Sequence, residues 1–372
     1  MTLTPCTPHW RPGEVRHAAP AIEVHRGVLY HPLTDRQMDA DPLWGVYDAG
    51  GALLDAAAYY RGPGATPVGQ CAQRDWPSPV AAADEAVLLY GGLIVGHFGH
   101  FVLTSLARLW PLLPPSVDRG SLRILFHGVG DPDQWWAVPY VAACLGALGL
   151  TRANLAWFPG PTRIACLVVP RPAFEEHNFV HAEYIGLVRA IGDRITPRTP
   201  ARRGPVYLAR TRFRPISQGF VNEQDLVDHL SALGVAIVYP EDLTFAEHVD
   251  LYQTATVVLG PIGSAFHPAV FARASCPLLM LSPTQIVNPN YGMLDAAGGL
   301  QAEYVSVDRE ALPDQSDERV THRYVIRDVR ALTRDLVERF TRALSTTDLP
   351  TAVDRKKALP ARGTSDRPKL LA

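Results

Sequence analysis

A chain of 372 residues is longer than one hydrophobic core usually supports, so two packed domains are the expectation. With 47% hydrophobic residues and a formal charge of −2, it reads as globular, with no basic excess to mark it for nucleic acid or an acidic membrane surface. The five cysteines (Cys6, Cys71, Cys144, Cys166 and Cys276) are scattered, odd in number and never spaced C-x-x-C, a pattern that fits neither a zinc site nor a disulfide framework and suits reduced thiols in a cytoplasm.

The first fifteen residues lack a basic segment followed by an apolar core, so no signal peptide is expected. Residues 1–85 are rich in Pro, Gly and Ala, with short β-like pieces at 22–24, 27–30 and 43–47, and read as an irregular N-terminal cap. The apolar run 86–95 is far shorter than the roughly 20 residues of a membrane span. Residues 86–198 alternate strand-like runs (86–90, 122–126, 164–169) with helix-like ones (101–113, 134–148, 180–195), the pattern of a parallel sheet with helical crossovers. The polar, Pro-rich segment 196–204 is the expected linker.

A second alternation fills 199–345, with strands at 206–208, 235–239, 256–259, 278–281 and 304–307. Asn222 is placed to cap its first helix, Thr244 with Glu247 forms a capping box for the second, and Ser264 starts the third. Residues 328–343 form a last amphipathic helix, and 346–372 mix Pro, Lys, Arg and Asp without periodicity, as a disordered tail does. The fold class is α/β, with two successive Rossmann-like units.

In open parallel sheets, ligands bind beyond the carboxyl ends of the strands. In the second unit that edge collects Arg210, Arg212 and Arg214, then Pro240 and Glu241, then the turn Gly260–Ser264. Glycines let the backbone approach a ligand, a following helix offers N–H groups and a positive dipole end to a phosphate, and an arginine adds a charge-assisted bond. Each signal alone has an ordinary explanation: a solvated arginine, a turn glutamate, a core histidine at His267. Their shared edge favours a phosphorylated ligand. No G-x-G-x-x-G is present, so a dinucleotide fingerprint is not supported. In the first unit a strand ends in glycines before His97 and His100, and a histidine facing the phosphate edge across a cleft has a suitable pKa to deprotonate a hydroxyl. Asp39-Ala-Asp41 and Asp131-Pro-Asp133 match a metal-binding D-x-D pattern, yet such Asp/Pro clusters usually make turns or caps.

Taken together, GHFGHFVLTSLARLW, YLAR, RFRPISQGFVNEQDL, VYPEDLTFAEHVDLYQTATVVLGPIGSAFH and LLMLSP resemble the glycosyltransferase 61 family over roughly residues 86–310. Bacterial members of that family are often labelled capsular polysaccharide biosynthesis proteins. The resemblance implies a GT-B-like architecture of two facing Rossmann-like domains, acceptor on the first and nucleotide sugar on the second. It also implies inversion at the anomeric carbon without an essential metal. The donor would be a nucleoside-diphosphate sugar, expected to be UDP-linked, and the acceptor a glycan or glycolipid; the expected location is the cytoplasm, with peripheral association at the inner face of the cell membrane as the alternative.

Residue by residue, Arg210, Arg214, Asn222, Glu223, Glu241, Gly263, Ser264 and His267 match the donor-side motif positions, and His100 matches the histidine of an Asn-x-x-His block. This chain departs from the pattern at His97, where the asparagine would stand, and at Ile262, where a histidine often stands. The implied reaction is a single displacement with His100 as base, Glu223 and Glu241 being the alternatives. Rival readings are a sugar-nucleotide hydrolase or epimerase on the same fold, a non-catalytic nucleotide-sugar-binding or scaffold protein, and a metal-dependent GT-A transferase resting on the D-x-D pairs.

Overall fold

The computed structural model describes residues 3–6, 13–34, 43–64, 66–75, 81–196, 203–212, 218–274, 276–312 and 322–347. It is a mixed α/β protein organised around two large sheets. The first has the order Gly45–Tyr47, Ile22–His31, Thr162–Pro170, Leu88–Leu93, Ile124–His127, Leu155–Ala156, with Ala81–Ala82 also paired to Thr162–Pro170. Leu88–Leu93 and Ile124–His127 are buried along their whole length, which is why they read as continuous apolar runs rather than alternating ones. Both run parallel to their neighbours.

The described strands within residues 1–85 do not stand apart as a cap. The ten-residue strand Ile22–His31 pairs antiparallel with Thr162–Pro170 along nearly its full length, and Gly45–Tyr47 pairs with it in turn. Leu3–Pro5 pairs antiparallel with Ala302–Val307 and so covers an edge of the second sheet whose backbone groups would otherwise be unpaired. The short Pro/Gly-broken pieces of this segment gave no continuous periodicity from which that pairing could be read.

The second sheet orders its parallel strands Ala236–Val238, Val206–Leu208, Val258–Pro261, Leu278–Ser282, Ala302–Val307. Counted along the chain this is the doubly wound order 2-1-3-4-5, and the direction of winding reverses between Val206–Leu208 and Val258–Pro261. The strand period shows in its packing. Val206 and Leu208 join Leu251, Tyr252 and Phe266 on one face, while Tyr207 and Ala209 join Leu226, Leu230 and Leu332 on the other. The halves share one core, in which Tyr184 and Val188 of the helix Ala182–Ile195 lie in the same apolar cluster as Val270 and Phe271.

Two expected helices are shorter than their apolar runs. The 101–113 stretch becomes a turn at Phe98–His100, a wide π-type turn at Phe101–Ser105 and a short 3₁₀ turn at Trp110–Leu112. Phe101, Val102, Leu103, Leu106 and Leu109 are all buried, so packing from every side decides this backbone, and no single amphipathic face does. The 134–148 stretch splits into Pro132–Trp136 and Pro139–Ala147, because Pro139 has no N–H to continue the first helix and suits the start of the second. Asp131 spends its carboxylate on the N–H groups of Asp133 and Gln134, and Asp133 pairs with Arg152, so this D-x-D pair is a helix cap with an ion pair. Asp39-Ala-Asp41, most of the 196–204 linker and residues 348–372 of the tail lie outside the described residues.

Candidate active site

The reversal point of the second sheet is where its chemistry collects. Arg210 follows Val206–Leu208, and the turn Pro261–Ser264 follows the neighbouring strand. The Arg210 guanidinium Nη1 donates to the Ile262 carbonyl at 3.1 Å. A Cβ on Gly263 would approach that Nη1 to 3.3 Å, so a side chain there would press on the guanidinium. Glu223 is buried behind them, its Oε1 accepting the Arg210 backbone N–H at 2.9 Å and the Tyr207 hydroxyl at 3.1 Å. Burial raises the Glu223 carboxyl against those two bonds, and burial lowers the Arg210 guanidinium against the attraction of Glu223. Glu223 thus receives the main chain of Arg210, and the head of the side chain is left facing a cleft.

That cleft has a volume of about 400 Å³. Arg210, Gly263 and Ser264 form its polar wall, and Phe98, Tyr140 and Phe245 its aromatic one. Phe98 lies edge-on to Tyr140 at 5.2 Å and to Phe245 at 6.0 Å. The Tyr140 hydroxyl donates to the Gly96 carbonyl at 2.8 Å, which ties the aromatic wall to the His97–His100 turn. Phe245 is set in place by the capping box: Thr244 Oγ1 accepts the Glu247 N–H while Glu247 Oε2 accepts the Thr244 N–H at 2.8 Å. Exposed Glu241 lies on the same cleft.

A second polar cluster forms in the first half, where winding also reverses, between Leu88–Leu93 and Thr162–Pro170. The first strand leads to His100 and the second to Glu176. Glu176 Oε1 lies 2.8 Å from His100 Nδ1 and accepts the Thr104 hydroxyl at 2.8 Å, with Tyr59 OH at 3.4 Å. Its Oε2 accepts from Arg61 Nη2 at 3.1 Å and from Asn290 Nδ2 at 3.3 Å. The Glu176 side chain is 2% exposed and that of His100 34%. Burial alone would raise this carboxyl, but the bond and charge of His100, the Arg61 charge and Thr104 outweigh it and hold it at about 2. His97, whose ring is 5.1 Å from that of His100, is pushed down by burial and then by His100. Between them Gly99 abuts Ser264, so the two clusters meet at that contact.

The residues singled out in the sequence therefore separate into groups. Arg210, Glu241, Gly263 and Ser264 share one cleft. His100 is not part of that cleft wall and belongs to the Glu176 cluster. Asn222 and Glu223 turn to internal partners. Asn222 stands at the N-cap position but makes no cap bond there, because its amide is spent on both backbone groups of Ile326. His267 is buried against Tyr291 with Nδ1 unbonded, and burial lowers its ring to about 4. Arg212 pairs with Asp242 over the Tyr239 ring, and Arg214 lies outside the described residues. Sequence reasoning missed Glu176, Arg61, Asn290 and the Phe98–Tyr140 wall. The signal for Glu176 was available: it follows a predicted strand at the same carboxyl edge that singled out Arg210.

Among the described residues no helix is long and apolar enough to cross a membrane, and no group of three or more His, Cys, Asp or Glu is arranged to hold a metal ion. No curated protein matches the chain. Among solved structures, the crystal structure of the dodecameric iron-containing heptosyltransferase TibC with ADP-D-beta-D-heptose is similar at 12% identity, covering 91% of this chain and 100% of that one. Its TM-score is 0.29, too low to carry a structural argument. Residues 98–279, which hold His100, Glu176, Arg210 and the Gly263–Ser264 turn, match the model of the Glycosyltransferase 61 family, and that match supports placing the chain in this family.

Proposed function

We propose that the protein is a glycosyltransferase that moves a sugar from a nucleoside-diphosphate donor, UDP-linked, to a hydroxyl of a glycan or glycolipid, with inversion, in polysaccharide or glycoconjugate assembly. In this reading the architecture is GT-B-like, with 86–198 on the acceptor side and 199–345 on the donor side. The observation that carries it is Arg210 seated against the Gly263–Ser264 turn at the winding reversal, on a cleft with an aromatic wall. The diphosphate would meet the Arg210 guanidinium and the N–H groups at the start of Ser264–Phe271, which favour the charge that grows on a leaving phosphate. The flat rings of Phe98 and Tyr140 suit a nucleobase.

His100 is the base in this mechanism. It takes the proton of the acceptor hydroxyl as that oxygen bonds to C1 of the sugar, and the C1–O bond breaks with its electron pair leaving on the diphosphate. Glu223 is a poorer candidate, since its carboxylate is buried and already receives Arg210 and Tyr207. A thermal-shift panel of UDP-, GDP-, dTDP- and CMP-sugars tests the donor reading. Ligand at about 100 times its Kd stabilises by roughly 2.7 kcal/mol, which is readily seen. A panel without any shift would sink the proposal.

A further inference from the structure

Apart from His100, the groups bonded to Glu176 all donate to it. Arg61 and Asn290 donate to Oε2, and Thr104 and Tyr59 donate to Oε1. An ionised carboxylate can only accept, so the atom of His100 that faces Oε1 at 2.8 Å has to be an N–H. That atom is Nδ1. A neutral imidazole with its proton on Nδ1 carries a lone pair on Nε2, the nitrogen that a base needs.

We propose that Glu176 is the positioning residue of the transfer reaction: it fixes His100 in the Nδ1–H tautomer and turns the Nε2 lone pair toward the acceptor hydroxyl. The inference rests on the reading of His100 as base. When the hydroxyl proton moves to Nε2, the imidazolium formed is matched by a carboxylate already in place, and no group has to reorient. The proton leaves to solvent after the product departs. The cluster also spans the two halves. Arg61, His100 and Thr104 come from the side of the first sheet, whereas Asn290 belongs to the helix Pro289–Gly298 that leads to the last strand of the second. His177, next in the chain, holds a left-handed backbone at φ 64°, and its N–H donates to Asn290 Oδ1 at 2.7 Å. Asn290 thus grips this loop through both atoms of its amide, which fixes Glu176 relative to the donor half.

The discriminating variant is Glu176→Gln. It keeps shape and volume but places an NH₂ where only donors point. Long-range proton–nitrogen spectra of the full chain with ¹⁵N-labelled histidine, at alkaline pH where imidazole is neutral, read the tautomer without any substrate. The wild type is expected to show His100 protonated on Nδ1, and Glu176→Gln to lose that single state. With the donor that the thermal-shift panel identifies, kcat is expected to fall roughly 10²–10⁴-fold while KM for the donor holds. Thermal unfolding of Glu176→Gln and Glu176→Asp identifies the folded variants, and Glu176→Asp, which keeps the acceptor-only character, is expected to recover part of the rate. An Nε2–H tautomer in the wild type, or an unchanged tautomer in folded Glu176→Gln, overturns the inference. A locked tautomer combined with a fully active His100→Ala would instead overturn the base assignment, so the two failures are distinguishable.

Discussion

Gly99 and Ser264 meet where the two halves join: a Cβ at position 99 would lie 2.9 Å from the Ser264 Cβ. Ser264 begins a helix and has little freedom to retreat, so the turn carrying His100 is set at a fixed distance from the start of Ser264–Phe271. Overpacking of this kind costs typically about 1–3 kcal/mol. Gly99→Ala is expected to lose stability in that range by urea denaturation. Combining it with Ser264→Gly, which removes the opposing carbon, should recover most of the loss. Strictly additive losses in the double variant would show that the contact is not the cause.

Asn222 matches a motif position for ligand binding, but its amide bridges Ile326, donating to the carbonyl at 3.0 Å and accepting the N–H at 2.9 Å. Loss of two partly buried bonds is expected to cost about 1–3 kcal/mol. Asn222→Ala should therefore lower the urea midpoint and leave the Kd for UDP unchanged in calorimetry. A large loss of UDP affinity at unchanged stability would return Asn222 to the ligand.

The contrast between Asn222 and Glu176 shows what the sequence could yield. Strand-and-helix alternation and the capping box of Thr244 are local patterns, and the second sheet was legible from them almost element by element. The carboxyl-edge rule brought Arg210 and the Gly263 turn together because both follow strands that end at one point. It could not say which way Asn222 or Glu223 faces, since that depends on Ile326 and Tyr207 arriving from elsewhere in the chain. The Glu176 cluster draws on positions 59, 61, 100, 104 and 290, a set brought together only by tertiary packing. The β-like pieces 22–24 and 27–30 read as parts of a cap for a related reason: the partner of the strand that contains them, Thr162–Pro170, lies over a hundred residues away.

Asp295 gives a pH dependence of known sign. Burial raises its carboxyl to about 7, against the Tyr304 hydroxyl that donates to it at 2.7 Å. The folded protein therefore keeps a proton that the unfolded chain, with a carboxyl near 3.8, gives up first. With more protons bound in the folded state, stability falls as pH rises between about 4 and 7. Asp295→Asn removes that slope, and the stability difference between the two proteins should change by on the order of a few kcal/mol across the window. Glu176 works in the opposite direction: its contribution is present above about 4.5 and lost as pH falls through about 2. A difference between wild type and Asp295→Asn that stays flat from pH 4 to 7 would mean that the folded protein does not hold the proton.

The two walls of the cleft make separable demands on a ligand. In the proposed reading Arg210 offers charge to phosphate, while the Phe98 and Tyr140 side chains line the cleft in which the rest of the donor would lie. Pyrophosphate and UDP, used as paired probes in calorimetry, distinguish the two. A hydrogen bond to a charged group is worth about 1.5–3 kcal/mol, so Arg210→Gln is expected to weaken both probes by roughly 10- to 150-fold. Tyr140→Leu keeps an apolar wall but loses the ring and its bond to Gly96, and is expected to weaken UDP alone. Equal loss of both probes in Tyr140→Leu would mean that the tyrosine acts by holding the His97–His100 turn. UDP bound by Arg210→Gln as tightly as by the wild type would remove the guanidinium from the donor site, and with it the observation on which the functional reading stands.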